Sequence, residues 1–257
     1  IITMKERGEK IAALTAYDYL TAEMLDEAGM DIILVGDSAG MVIAGHETTL
    51  PITLDEMIFM TQNVRRGVKK ALLVADMPFL SYQTSIADGI KNAGRFLKEA
   101  EAEAVKVEGG KVVTELVLKL VEYGIPVMGH LGLTPQSINK FGSYKLQGSD
   151  SETANILMRD AKLLEEAGAF SIVLEKIPAD LARQISESIK IPTIGIGAGP
   201  HCDGQVLVTH DMLGIFDKFK PKFVRRYAEL GNLMRQAFIE YIKDVKSNEF
   251  PNNDESF

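Results

Sequence analysis

Short apolar runs recur along this chain, separated by stretches in which apolar residues return every three or four positions. Eight of the runs read as strands, at 10–15, 31–36, 72–75, 104–107, 126–129, 171–174, 192–196 and 205–208. Each has the β-branched, nearly continuous hydrophobicity of a buried strand. Thr53-Leu54-Asp55-Glu56 reads as a capping box that opens a helix running to about Val68. Further helices are expected over 86–100, 112–123 and 153–167. In the last of these, Ile156, Leu157, Ala161 and Leu164 would form the face on the sheet. Gly29, Gly124 and Gly168 stand where left-handed helix caps are expected. Residues 223–246 read as a final amphipathic helix, and the polar end from Ser247 to Phe257 as frayed or lying on a neighbouring subunit.

Buried strands alternating with helices predict a parallel sheet covered on its outside. No Pro-, Ser- or Gly-rich linker divides the 257 residues, so one domain over 1–257 is expected, and that length suits a single (β/α)8 barrel. A doubly wound open sheet is the rival, but it usually places its site at one crevice. The weakest point of the eightfold repeat is the 197–204 connection, too short for a full helix.

Five runs end in an ionisable residue: Asp37, Asp76, Glu108, His130 and Glu175. The carboxyl ends of parallel strands are where an α/β barrel builds its active site, so this placement points to an enzyme. Alternation along a strand puts Lys106 and Glu108 on one side and Val105 and Val107 on the other. Neighbouring strands lie about 4.8 Å apart, so Asp37, Asp76 and Glu108 should converge within roughly 10 Å. Clustered carboxylates in a partly dry site raise their pKa or recruit a cation, and oxygen-only ligation favours Mg²⁺. A single such acid more often caps a helix or pairs with a lysine; three in register shift the balance to metal binding. Glu175, apart from that cluster, reads equally as a general base or as a structural ion-pair partner. Lys106 reads as a counter-ion, an anion ligand, or both. His130 opens a loop of turn residues and either donates to substrate or satisfies a carbonyl.

Composition narrows the classes further. A net charge of −8 without a basic block argues against nucleic acid or an anionic membrane surface. No apolar stretch approaches the roughly 20 residues of a membrane helix. A lone cysteine, Cys202, forms no internal disulfide, which suggests a reducing, cytoplasmic setting. The chain opens at Ile1 without an initiator methionine or signal-like segment, so a few native residues are expected before it. His201, Cys202 and His210 match no usual zinc spacing. Gly195-Ile196-Gly197-Ala198-Gly199 resembles a phosphate-cradling loop but lacks the helix and acid of a dinucleotide fingerprint; a tight turn is as good a reading.

Several motifs, in order, resemble the ketopantoate hydroxymethyltransferase family. They include Thr15-Ala16-Tyr17-Asp18-Tyr19, Val35-Gly36-Asp37-Ser38, Asp76-Met77-Pro78-Phe79 and Val105-Lys106-Val107-Glu108-Gly109-Gly110. Gly129-His130-Leu131-Gly132-Leu133-Thr134-Pro135-Gln136, Leu174-Glu175, the glycine loop from Ile194 to Gly199, and Cys202-Asp203-Gly204-Gln205-Val206-Leu207-Val208 complete the set, which spans about residues 8–227. Gln147-Gly148-Ser149 departs from the pattern, where a basic residue is expected after the glycine.

The resemblance implies a TIM barrel of the phosphoenolpyruvate/pyruvate-binding type. It also implies transfer of a one-carbon unit from 5,10-methylenetetrahydrofolate to α-ketoisovalerate (3-methyl-2-oxobutanoate), giving ketopantoate in the first step of pantothenate biosynthesis. It places Asp37, Asp76 and Glu108 around Mg²⁺, directly or through water. Asp37, Ser38, Asp76 and Lys106 would contact the ketoacid, Glu175 would accept the proton, and His130 would line the site. A homo-oligomer, commonly a homodecamer, is implied as well. The alternatives are a barrel lyase of the phosphoenolpyruvate and isocitrate lyase type, and a non-catalytic ketoacid sensor.

Overall fold

Continuous apolar runs become strands because both faces of each are covered, and the eight strands pair in parallel and in chain order to close a barrel. They are β1 (Ile11–Thr15), β2 (Ile32–Val35), β3 (Leu72–Asp76), β4 (Ala104–Glu108), β5 (Val127–Gly132), β6 (Ser171–Glu175), β7 (Thr193–Ile196) and β8 (Gly204–Leu207). The structure, a computed structural model, describes residues 1–143, 145–217 and 221–257. Its chain divides into two compact units, Ile1–Leu207, which holds the whole barrel, and Val208–Phe257.

The helices of the first unit are α1 (Ile2–Glu6), α2 (Tyr19–Glu27), α3 (Ala39–Val42), α4 (Leu54–Gly67), α5 (Ile86–Ala100), α6 (Thr114–Glu122), α7 (Ile138–Phe141), α8 (Ser151–Glu166) and α9 (Ala179–Ser188). Thr53 and Glu56 form the expected capping box at the start of α4, which typically stabilises a helix by about 1 kcal/mol. Ser85 and Asp150 cap α5 and α8 in the same way, through a side-chain oxygen on an early N–H. Gly29, Gly124 and Gly168 follow helices with φ of 87°, 80° and 94°. Among the described residues no helix joins β7 to β8, and no helix is long and apolar enough to cross a membrane.

Three expectations change. In α8 the buried face is Asp160, Ala161 and Leu164, while Ile156 is exposed, one helical turn away from the contact with the barrel. His130 lies within a strand and not at the start of a loop, because β5 continues to Gly132 and pairs with β6 from Met128 to Gly132. The final helix begins at Leu230 and not near residue 223, as α11 (Leu230–Ser247). The reason is visible in the backbone: the N–H groups of Tyr227, Leu230 and Gly231 bond to the carbonyls of Met212, Leu213 and Gly214, which a helix through them would forbid. These carbonyls belong to α10 (Thr209–Met212) and the turn after it. Leu233, Met234, Phe238, Ile239, Ile242 and Val245 of α11 are exposed.

Inside the barrel, Ile11, Ala13, Ile32, Leu34, Val74, Ala104, Met128, Val173, Ile194 and Val206 form one buried cluster, with Ile1 and Met4 packed against it. Two residues further along a strand a side chain returns to the same face. From Val74, Met128 and Val173 that step leads to Asp76, His130 and Glu175, and from Ala104 to Lys106 and then Glu108. The apolar barrel core thus ends in charge at the carboxyl ends of its strands.

Candidate active site

Register brings the strand-end charges together. Asp76 lies beside Lys106 across the β3–β4 pair, and Glu108 beside His130 across β4–β5. Asp76, Lys106, Glu108 and His130 are all buried, as is Asp37 in the loop after β2. Lys106 Nζ stands 2.9 Å from Asp76 Oδ1 and 4.0 Å from Glu108 Oε1. The short contact is a buried ion pair, and Asp76 Oδ1 has no partner besides the ammonium. Asp76 Oδ2 accepts from the backbone N–H of Asp37 at 3.0 Å. His130 Nδ1 donates to Glu108 Oε1 at 3.1 Å and passes 3.4 Å from Lys106 Nζ. On the other side of the ring, His130 Nε2 lies 3.3 Å from Glu175 Oε2. Glu175 is therefore joined to the cluster through His130, and its side chain is 15% exposed against 3% for Glu108.

Two glycines permit this geometry. A Cβ at Gly132, whose φ is 94°, would sit 2.1 Å from the carbonyl oxygen of Glu175, so only glycine lets β5 finish beside Glu175. A Cβ at Gly36 would come 2.7 Å from Ser38 Oγ. Ser38 is half-buried, with its hydroxyl 2.8 Å from that of Tyr17.

The charges do not balance in place. Burial, then the charges of Asp76 and Glu108, push the Asp37 carboxyl up to about 8. Burial also raises Asp76, against the pull of Lys106. For Glu108 burial acts upward, but His130 and Lys106 outweigh it and hold the carboxyl below its ordinary value. Burial would lower Lys106, yet Asp76, Glu108 and Asp37 keep its ammonium above the usual range. Burial and Lys106 act to lower His130, and Glu108 with Glu175 outweigh them, raising it to about 9. Among the described residues no three His, Cys, Asp or Glu side chains form a ready-made metal cage. The donor set is hard oxygen with a surplus of acid: Asp37, Asp76, Glu108 and Glu175 stand against Lys106 and His130. It fits a cation that water or substrate would help to ligate.

A matching family model, described as ketopantoate hydroxymethyltransferase, covers residues 1–253. The chain belongs to the ketopantoate hydroxymethyltransferase family. Family membership makes it an enzyme, a transferase of hydroxymethyl groups. Similar proteins named 3-methyl-2-oxobutanoate hydroxymethyltransferase include that of Chlorobaculum tepidum, 59% identical across 100% of this chain and 94% of the relative. Those of Syntrophus aciditrophicus and Carboxydothermus hydrogenoformans are 56% and 57% identical, each over 99% of this chain and over 93% and 92% of their own lengths.

Among solved structures, a phosphonopyruvate hydrolase in complex with oxalate and Mg²⁺ aligns with a TM-score of 0.67 at 12% identity, over 99% of this chain and 91% of that one. A 2,3-dimethylmalate lyase of the phosphoenolpyruvate mutase/isocitrate lyase superfamily aligns at 0.59 and 15%, over 100% and 91%. At such identities the likeness shows the fold: the barrel architecture of that superfamily.

In this ketopantoate hydroxymethyltransferase family member, sequence reading overlooked a second layer of residues around the acids. Gln136, in a single 3-10 turn at Pro135–Ser137, is buried and bonded on every polar atom of its side chain. Tyr82 is buried beside it, held above its ordinary pKa by burial and the Glu108 charge. The only signal in the sequence was the position of Gln136 at the end of the motif that begins at Gly129. The glycine stretch from Gly195 finishes β7 and then turns: Gly199 has φ of 80° and its carbonyl accepts from Gln205 Nε2 at 2.9 Å.

Proposed function

We propose that this chain transfers a hydroxymethyl group from 5,10-methylenetetrahydrofolate to 3-methyl-2-oxobutanoate, giving ketopantoate in the first step of pantothenate biosynthesis. The observation that carries the reading is the surplus of buried acid at the barrel mouth, joined through His130 to a more exposed carboxylate. Relatives more than 55% identical carry the name of this activity.

Asp37, Asp76 and Glu108 would hold Mg²⁺, directly or through water. When bound, the ion supplies a Lewis acid for the carboxylate and keto oxygens of the ketoacid. A cation there also relieves the repulsion that raises Asp37. Lys106 and Ser38 bind the substrate carboxylate and fix the C3 carbon near Glu175. Glu175, the acid with solvent access, takes the C3 proton, and His130 at 3.3 Å orients its carboxylate. The C3 carbanion then forms a C–C bond to the methylene carbon of the folate, a co-substrate. The C–N bonds to that carbon break with their electron pairs going to the folate nitrogens, which take up protons. One water supplies the hydroxyl oxygen, so that ketopantoate and tetrahydrofolate leave. The exposed apolar residues of α11 support a homo-oligomer, a decamer in this reading, and light scattering that found a monomer would contradict it. A reducing cytoplasm is the proposed setting, consistent with the free, buried Cys202.

The test is C3 hydrogen–deuterium exchange of 3-methyl-2-oxobutanoate with Mg²⁺, first without folate and then with it. Exchange in the first arm and ketopantoate in the second are expected. A folded protein giving neither would end the proposal. Cleavage of a 2-hydroxytricarboxylate without folate would instead favour a lyase on the same barrel.

A further inference from the structure

We infer that Gln136 is a positioning residue that sets the orientation of the Asp37 carboxylate through its side chain, and of the Glu108 carboxylate through its backbone N–H, toward their cation. The inference rests on the function proposed above, and it assigns work to a residue that the reaction itself does not use.

The geometry is specific. Gln136 donates from Nε2 to Asp37 Oδ2 and to the Met77 carbonyl, both at 2.9 Å. Its Oε1 accepts from Tyr82 OH at 2.8 Å and from Gln83 Nε2 at 3.0 Å. Its backbone N–H donates to Glu108 Oε2 at 3.0 Å. A carboxamide has two donor hydrogens and two acceptor sites, and here all four are filled. Nothing is left over for a substrate, which argues for positioning over catalysis. The amide's orientation is fixed by its partners, because the Met77 carbonyl can only accept. One residue thereby joins the ends of β2, β3 and β4 to the turn after β5.

The pattern of oxygens matters more than the number of bonds. Each of the three acids is tied through one oxygen by an amide donor: Asp37 Oδ2 and Glu108 Oε2 by Gln136, and Asp76 Oδ2 by the Asp37 N–H. The opposite oxygens of Asp76 and Glu108 face Lys106 and His130. Fixing one oxygen of a carboxylate sets where the other points, the work that outer-layer partners do in metal sites. Tyr82 fixes Gln136 in turn: its hydroxyl donates to Gln136 Oε1 and accepts the Glu108 N–H at 3.0 Å. Asn92, on α5, holds the same loop by donating to the Ser81 carbonyl at 2.7 Å.

The test measures metal binding directly. Mn²⁺ binding in the presence of 3-methyl-2-oxobutanoate is followed by electron paramagnetic resonance, with circular dichroism as the check on folding. Gln136→Met keeps the side-chain length and removes all four carboxamide bonds; Mn²⁺ affinity should fall about 10- to 100-fold. Tyr82→Phe, the milder change, should lower it by a smaller factor. The double variant should lose less affinity than the product of the two single losses, since Tyr82 acts on the acids through Gln136 and has only the Glu108 N–H as a separate contact. A folded Gln136→Met that binds Mn²⁺ within twofold of the wild type overturns the inference. So do Tyr82→Phe and Gln136→Met losses that multiply in full. If Gln136→Met does not fold, Tyr82→Phe decides: a weakened affinity supports the role and an unchanged one overturns it. Failure of the functional reading is separately visible, as wild-type protein that binds Mn²⁺ and ketoacid but exchanges no C3 proton.

Discussion

The two ends of the barrel each contain charge, and they treat it in opposite ways. At the amino end, where β7 and β8 begin, one cation meets one anion: Lys5 Nζ pairs with Asp203 at 3.0 Å and donates to the carbonyls of Ser186 and Ile191. The same Asp203 Oδ2 also accepts from the N–H and hydroxyl of Thr193, and Ser186 Oγ closes the set on Thr193 Oγ1. At the carboxyl end, Asp37, Asp76, Glu108 and Glu175 face Lys106 and His130, more acid than the two bases can neutralise. The first network pairs its two charges with each other, and so it serves the fold. The second is complete only with a ligand, and a surplus of one sign is the physical mark of a site.

That contrast can be broken at either end. The largest effect is expected at Glu175→Gln, which removes the proton acceptor while keeping size. Exchange at C3 should fall by about 10²- to 10⁴-fold, with ketoacid binding, measured by calorimetry, largely kept. Unchanged exchange would remove Glu175 as the base.

Next comes the amino end. Lys5→Met strands Asp203 without its cation and should cost about 1–2 kcal/mol, or about 2–8 °C in melting temperature. Turnover at a temperature where the variant is folded should stay at the wild-type value.

A smaller effect separates the ends by pH in Mg²⁺-free solution. Asp37, at about 8, and His130, at about 9, hold protons more tightly folded than in the unfolded chain, where they titrate near about 3.9 and 6.5. Stability from those protonated forms is full below the unfolded values and lost as pH rises through the folded ones. Glu108, held low, makes the opposite contribution, but that is complete by about pH 5. Melting temperature should therefore fall between about pH 5 and pH 9, and Mg²⁺ with ketoacid should restore it. A flat or rising profile would contradict the unbalanced mouth. In stability the smallest change is expected from Asp37→Asn, which should raise the metal-free melting temperature by about 2–4 °C, some 1 kcal/mol; a flat or lowered melting temperature would contradict the repulsion at the mouth.

Much of this was legible in the sequence, for definite reasons. Parallel strands buried on both faces leave continuous apolar runs, so all eight were found, and the Thr53 capping box marked α4 within a residue. The charged strand ends were legible because they follow from position on the strand. What sequence could not give depends on distant partners. Gln136 meets Asp37 across 99 residues and Met77 across 59, and nothing local in its turn announces either contact. The link from Glu175 through His130 to Glu108 needed the register of β4, β5 and β6. The start of α11 was misplaced because Tyr227 suits an amphipathic helix by pattern, whereas its N–H is bound to the Met212 carbonyl.

The most direct test is one rate: C3 deuterium exchange of 3-methyl-2-oxobutanoate, followed by NMR for wild type, Lys5→Met and Glu175→Gln under the same conditions with Mg²⁺. Exchange at the wild-type rate in Lys5→Met, and its loss in Glu175→Gln, is the expected result. Loss in the folded Lys5→Met, or survival in Glu175→Gln, would contradict the division of work between the two ends of the barrel.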